Sequence, residues 1–553
     1  MIATHFANFL RKHHRPTHDG FVPLVKCLSE AIETGSSCLD LNGLEDYPEE
    51  KWRNILACDE EGSTVASPCS SAPLILTPEN RLYLQRYYLH EQRISDSVDH
   101  SIRADADEIA PKTLERISAL FGTTEGNDQA AAALCALKRR FTIISGGPGT
   151  GKTTTVLKIL LLLKEQGHFT EGTECLLLAP TGKAADRLRQ SIVGGLAKLD
   201  IKDEEFPTET ATIHRALGFR GNTIEFRHDA ENPLNAKVVV IDESSMVDLP
   251  LMSRLMAAIR PDARTILLGD KHQLTSVQIG TVLADLMEVA ETSDHPLNSC
   301  AVTLRKSFRT QGPIHATCEA IRDGDEEAAW AEVSNSAADV EGAVIHQIPP
   351  GNPRAALVEF VERHWLPPLQ DPSLTPIEKL TAIDRFRILT PTHKGRFGVD
   401  AINRAVDQIL DSHGIPTSAT WYPGRSVIVA KNDYGLGIYN GDTGLAVDSG
   451  DGIVSVCFNS TEGSRMIKPV RLPEVSSAWG MTIHRTQGSE YDHILLIIPP
   501  SENSNILSRE LLYTGLSRAK LSATLWCDEG NFRATIATTV QRASGLAEMF
   551  KQG

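Results

Sequence analysis

The chain has 553 residues and is 41% hydrophobic, more than one core accommodates, which predicts a globular protein of three or four domains. Its 71 acidic and 55 basic residues leave a net charge of −16, so no global positive field draws it to nucleic acid, and any such binding depends on local basic clusters. Ten cysteines without a C-x-x-C pair argue against zinc, iron–sulfur and disulfide frameworks, while early charge in MIATHFANFLRKHHRP and the lack of any apolar run near ~18 residues argue against a signal peptide or membrane span, predicting a reduced, cytoplasmic protein.

Residues 1–110 predict a mainly helical N-terminal domain. Phe21, Leu24, Val25, Leu28 and Ile32 recur at helical spacing, residues 41–72 are polar and read as loop, and PLILTPENRLYLQRYYLHEQRI alternates like a strand pair about Pro78–Asn80 before an aromatic helix. No chemistry is legible there, and Tyr83, Tyr87 and Tyr88 read as core or partner surface. From 111 to 303 the pattern becomes α/β. Apolar strands at 141–145, 175–179, 237–241 and 264–268 alternate with helices, as in a parallel sheet whose strand ends collect ligands. LGFRGNTIEFRHD, 217–229, reads as a short hairpin about Gly221–Asn222. A second α/β unit spans 304–415 and 481–553, interrupted at 416–480 by short alternating runs that predict a small inserted β-barrel.

The strongest motif is FTIISGGPGTGKTTTVLKILLLL, 141–163, an apolar strand feeding a glycine-rich turn and then a helix, the context a P-loop requires. The turn Gly146, Gly147, Pro148, Gly149, Thr150, Gly151 lets successive N–H groups converge on phosphate oxygens at a helix N-terminus, with Thr154 in the first turn beyond. Lys152 is expected to reach the β- and γ-phosphates and Thr153 to ligate Mg²⁺, so the ligand is a nucleoside triphosphate. VVVIDESSM, 238–246, ends a buried strand in two carboxylates: Asp242 for the metal and Glu243 to orient and deprotonate the attacking water. In LLGDKHQLTSV, 267–277, Gln273 can donate and accept, and so sense the γ-phosphate. Arg309 of LRKSFR and Arg518 of YTGLSRAK are expected to close on the triphosphate from the second unit as arginine fingers.

These motifs, together with NDQAAAALCALKRR, APTGKAADRL (179–188), TIHRALG (212–218) and MTIHRTQGSEYD (481–492), occur in the order of the superfamily 1 helicases and cover about residues 125–520. Within that superfamily, LTPTHKGRFGVDAINR, NDYGLGIYNGDTG and AWGMTIHRTQGSE resemble the RecD family, the alpha subunits of exodeoxyribonuclease V, as does LILTPENRLYLQRYYLHE near the N-terminus. The resemblance implies two RecA-like P-loop motor domains and an ATP-driven motor moving 5′ to 3′ on single-stranded DNA. By the same resemblance Gln129 reads adenine, and Gln487, Gly488 and Glu490 relay between nucleotide and strand. Thr181, Lys183, Thr212, His214, Thr482 and His484 line the DNA groove, and the 217–229 hairpin stands where a strand-separating pin belongs.

The resemblance further implies work on DNA ends beside RecB-like and RecC-like subunits, with residues 1–110 docking the partner. The chain lacks the long N-terminal extension expected of free-standing RecD-like helicases and has no nuclease carboxylate cluster, which favours the subunit reading over a solitary helicase. A nucleotide-sensing scaffold with a vestigial ATPase is the rival of another class. Intact Lys152, Asp242, Glu243, Gln273 and Arg518 count against it.

Overall fold

The computed structural model describes residues 2–14, 20–56, 65–66, 72–122, 126–170, 174–201, 206–219, 225–276, 278–292, 294–308, 312–336, 342–433, 435–450, 452–460, 463–500 and 506–551. Two parallel sheets form its centre. The first is six-stranded, in the order Ala301–Leu304, Phe141–Gly146, Arg264–Gly269, Val238–Ile241, Cys175–Ala179, Thr210–Thr212. The second has five strands, Ala343–Gln347, Ala519–Trp526, Tyr491–Ile497, Phe386–Thr390 and Gly480–Thr482. Phe141–Gly146, Val238–Ile241 and Arg264–Gly269 are buried along their whole length, which is why they read as mostly apolar runs instead of alternating ones. The P-loop helix Lys152–Glu165 covers one face with Val156, Leu157, Ile159 and Leu160. The fold class is therefore α/β with paired P-loop motor sheets, as the sequence predicts.

Three regions differ in detail from the expectation. In the N-terminal region a four-stranded sheet joins the helices, with Leu74–Leu76 and Arg81–Leu84 antiparallel on either side of the turn at Asn80, whose φ is +63°. Part of the polar stretch 41–72 is a helix, Glu49–Ile55, anchored by buried Trp52 and Ile55. The 416–480 insertion forms an antiparallel sheet ordered Gly463–Ile467, Val454–Ser460, Thr443–Asp448, Ser426–Val429, Val475–Ser477, and among the described residues its two outer strands do not pair to close a barrel. Thr443 Oγ1 donates to Asp384 Oδ2 at 2.7 Å, and Leu445 and Val447 pack with Trp479, so the insertion sits on the second motor sheet.

The C-terminal residues do not end within the second unit as the 481–553 boundary implies. Beyond the helix Glu529–Ala537 the chain returns to the N-terminal region and the first unit. Ser37 N donates to Ala543 O at 2.9 Å and Ala543 N to Ser36 Oγ at 3.1 Å. Leu546, Ala547 and Phe550 are buried in one cluster with Tyr83, Val98 and Leu286. Residues 220–224 of the expected hairpin lie outside the described residues. Its base is tied by Arg227 N donating to Leu217 O at 2.9 Å. Among the described residues no helix is long and apolar enough to cross a membrane.

Candidate active site

The carboxyl end of Phe141–Gly146 turns immediately into the glycine loop. A side chain at Gly147 would come within 2.9 Å of the Tyr513 hydroxyl, and Gly151 holds φ at +81° to start the Lys152–Glu165 helix, which has no side-chain cap. The first N–H groups of that helix are therefore presented to the cleft as an anion site. Lys152 Nζ folds back onto the loop, donating to Gly146 O at 2.5 Å and Gly147 O at 3.1 Å. Thr150 Oγ1 braces the same turn through Gly147 O at 2.9 Å. Gln129 stands behind it, its Nε2 donating to Thr150 O at 3.1 Å, on a helix capped by the Asn127 side chain.

A cleft of about 460 Å³ gathers residues from both motor units. From the first come the loop Gly147–Thr154 with Asp242, Glu243 and Gln273; from the second come Gly488, Glu490 and Arg518. Asp242 is buried at the end of its strand, and burial, reinforced by the neighbouring Glu243 charge, pushes it up to about 6 against the opposing pull of Lys152. Its Oδ1 accepts the Glu243 N–H at 2.9 Å. Glu243 itself has φ +50°, a left-handed conformation that a glutamate adopts at a cost, and it lines the cleft.

Gln273 is buried and donates from Nε2 to Asp270 Oδ2 at 3.2 Å. That same oxygen accepts the Tyr513 hydroxyl at 3.0 Å, so the loop is tied to the second unit. Two further bonds complete the seam: Leu274 N donates to Thr514 Oγ1 at 2.8 Å, and Gln487 Nε2 donates to Leu274 O at 2.8 Å. Arg518 lines the cleft, but its guanidinium is spent within its own unit, on Thr514 O at 3.0 Å, Ser489 O at 3.1 Å and Ser517 Oγ at 3.3 Å. Arg309 lies outside the described residues, although Phe308 beside it reaches the cleft. Sequence reasoning missed Arg187, Asp270 and Tyr513. Arg187 stands four residues after Lys183, a helical spacing that was the available signal, whereas the Asp270–Tyr513 pair has none before the two units meet.

The residues expected to face DNA divide into two groups. Thr212 lines a second groove of about 310 Å³ between the helix Gly182–Lys198 and the inserted sheet, together with Arg189, Arg215, Tyr439, Asp442 and Arg465. Lys183 bears on it through its field at Asp442, a carboxyl that burial raises to about 6. Thr181 and Thr212 are helix N-caps, their oxygens accepting from Ala184 N and Arg215 N at 3.2 Å each. Thr482 is buried, and it precedes a short 3-10 turn without capping it. Burial lowers both His214 and His484 toward the neutral imidazole, which weakens them as cationic contacts. His214 instead packs in an aromatic cluster with Phe219 and Phe226 at ring separations of 5.8 and 6.0 Å.

Residues 129–279 match the AAA domain family, and residues 477–526 match the UvrD-like helicase C-terminal domain. The chain is 37% identical to the RecBCD enzyme subunit RecD of Mycolicibacterium smegmatis over 546 residues, covering 96% of this chain and 94% of that one. It is 28% identical to the ATP-dependent RecD2 DNA helicase of Deinococcus radiodurans, across 82% of this chain and 56% of that one. Among solved structures, a Bacteroides Pif1 helicase in complex with ADP-AlF3 and single-stranded DNA aligns with a TM-score of 0.38 at 18% identity, covering 76% of this chain and 94% of that one.

Proposed function

The chain belongs to the RecD family and is an ATP-dependent DNA helicase, and on that premise we propose that it is the 5′-to-3′ motor subunit of a RecBCD-type exodeoxyribonuclease V acting on DNA ends in the cytoplasm. The observation that carries the reading is the cleft itself, in which a P-loop and a carboxylate pair from one unit face Arg518 and Glu490 from the other. A ligand held there touches both units, so its binding and loss change how the units close.

Lys152 and the loop N–H groups hold the β- and γ-phosphates of ATP, and Gln129 holds the adenine edge. Thr153 and Asp242 offer a hydroxyl and a carboxylate at one wall of the cleft, an oxygen donor set that suits Mg²⁺, and the buried Asp242 carboxylate gains from a neighbouring cation. Bound Mg²⁺ neutralises charge on the phosphate oxygens. Glu243 orients the attacking water and accepts its proton. Gln273 passes the state of the γ-phosphate to Asp270 and Tyr513, and Arg309 and Arg518 stabilise transition-state charge once the units close.

We place the DNA strand in the groove lined by Thr212, Arg215 and Arg465, with Thr181, Lys183, Thr482 and His484 along its course, where hydroxyls and cations contact phosphates without regard to sequence. Four domains fit this division of labour: 1–110 for docking RecB-like and RecC-like partners, 111–303 and 304–415 with 481–538 as motors, and 416–480 closing over the strand. Identity of 37% to a RecBCD subunit against 28% to RecD2 supports the subunit reading over a solitary helicase. Strand displacement from duplexes carrying either a 5′ or a 3′ single-stranded tail tests the polarity. The 5′-tailed substrate is expected to open with ATP, and opening of the 3′-tailed one alone overturns the assignment.

A further inference from the structure

The helix Gly182–Lys198 touches both proposed sites. Its Gly182, Ala185 and Arg189 line the strand groove, with Thr181 as its N-cap and Lys183 in its first turn, while Arg187 lines the nucleotide cleft. There Arg187 donates to Gly488 O at 3.0 Å through one terminal nitrogen and pairs with the Glu490 carboxylate through the other. The Glu490 side chain is 10% exposed and Arg187 33%, so the carboxylate end of this ion pair is withdrawn from water. Gly488 lies against the same helix, where a side chain would sit 3.4 Å from Ala184 Cβ. The partner segment carries in one stretch Thr482 and His484, expected to contact the strand, and Gly488 and Glu490, which line the nucleotide cleft. One guanidinium thus joins two segments that each run from strand to nucleotide.

We propose that Arg187 is a positioning residue that couples the nucleotide state to the strand grip, by holding Gly488–Glu490 of the second motor unit against the helix bearing Thr181 and Lys183. The inference rests on the helicase reading above. An arginine is required because its planar fork serves a carbonyl and a carboxylate at once, which a lysine ammonium on a flexible stem does not fix in one geometry. Lys520 of the second unit stands 4.0 Å from Glu490, so loss of Arg187 leaves that carboxylate biased toward its own unit.

The test is the ratio of ATP turnover with saturating single-stranded DNA to turnover without it, measured on the full chain with Arg187→Ala and Arg187→Lys. The ratio is unaffected by a loss of folded protein, because both rates scale with the active fraction. If the wild type shows no stimulation by DNA, the helicase reading itself fails. If it does, Arg187→Ala is expected to lower the ratio by about two- to thirtyfold, the range of coupling effects seen for residues between two sites, with Arg187→Lys intermediate. An unchanged ratio in Arg187→Ala overturns the proposal. Should that variant not fold, Arg187→Lys decides, a lowered ratio supporting the proposal and an unchanged one overturning it.

Discussion

Asp285 gives a sharp test of how the C-terminal segment is clasped. Its Oδ1 accepts the Thr281 hydroxyl at 2.7 Å and its Oδ2 the Ser544 hydroxyl at 2.8 Å, but Ser544 Oγ also lies 3.1 Å from Glu91 Oε1. One hydroxyl proton cannot serve both buried carboxylates, so the arrangement favours a proton on one of them. Burial, with the Glu91 charge beside it, pushes Asp285 up to about 7 from an ordinary 3.8. Because the folded chain holds this proton more tightly than the unfolded one, the sign is fixed. Below pH ~4 both states are protonated, between ~4 and ~7 stability falls by about 1.4 kcal/mol per pH unit, and above ~7 the full penalty of roughly 4 kcal/mol is in place. Asp285→Asn removes the ionisation, and its amide can donate to Ser544 Oγ while that hydroxyl turns to Glu91. Relative to wild type, the variant is expected to gain roughly 3 kcal/mol between pH 5 and pH 8, a shift of several degrees in melting temperature. Thermal unfolding of both proteins at pH 5, 6.5 and 8 measures it. A gap in melting temperature that stays constant with pH refutes the reasoning.

What the sequence revealed and what it hid follow from how local each signal is. The P-loop was legible because strand, turn and helix are contiguous and the strand is buried on both faces, leaving a mostly apolar run ahead of the glycines. The Glu49–Ile55 helix was hidden because its burial rests on Trp52 and Ile55 alone, too few positions to set a period. Strands of three or four residues, such as Thr210–Thr212 and Ala301–Leu304, were hidden for the same reason, and the latter proves to pair with Phe141–Gly146 at the edge of the first sheet. The return of the C-terminal segment could not be seen, since Leu546 and Phe550 look like any apolar pair until the N-terminal region offers them a pocket. Candidate site residues were named by type and order. Their protonation and partners depend on distant neighbours: burial, with Arg542 and His393 nearby, lowers His484 toward the neutral imidazole, and Tyr513 acquires its partner Asp270 only across the seam between the two units.

Three further outcomes are expected. Lys152→Gln should leave the melting temperature close to wild type and abolish DNA-stimulated ATP hydrolysis, so undiminished turnover in the purified variant refutes the P-loop assignment. Residues 1–110 should be needed for co-purification with co-expressed RecB-like and RecC-like chains, and a deletion variant that still assembles with them removes the docking role. Tyr513→Phe isolates the seam. The ring is buried and keeps its packing, whereas the hydroxyl that donates to Asp270 is lost. Burial raises the Tyr513 hydroxyl well above its ordinary value, so it remains a donor at every working pH. Asp270 retains the Gln273 amide and the His272 N–H, at 3.2 and 3.0 Å, so the loop does not lose its own structure. A hydrogen bond to a charged acceptor contributes about 1.5–3 kcal/mol, which bounds the fall in kcat at roughly ten- to a hundredfold if the bond forms fully only when the cleft closes. The KM for ATP should change less than kcat, because the Tyr513 hydroxyl packs against Gly147 but donates its hydrogen bond to Asp270. Steady-state ATP hydrolysis with saturating DNA separates the two constants, and a kcat equal to wild type shows that the seam carries no part of the signal from Gln273.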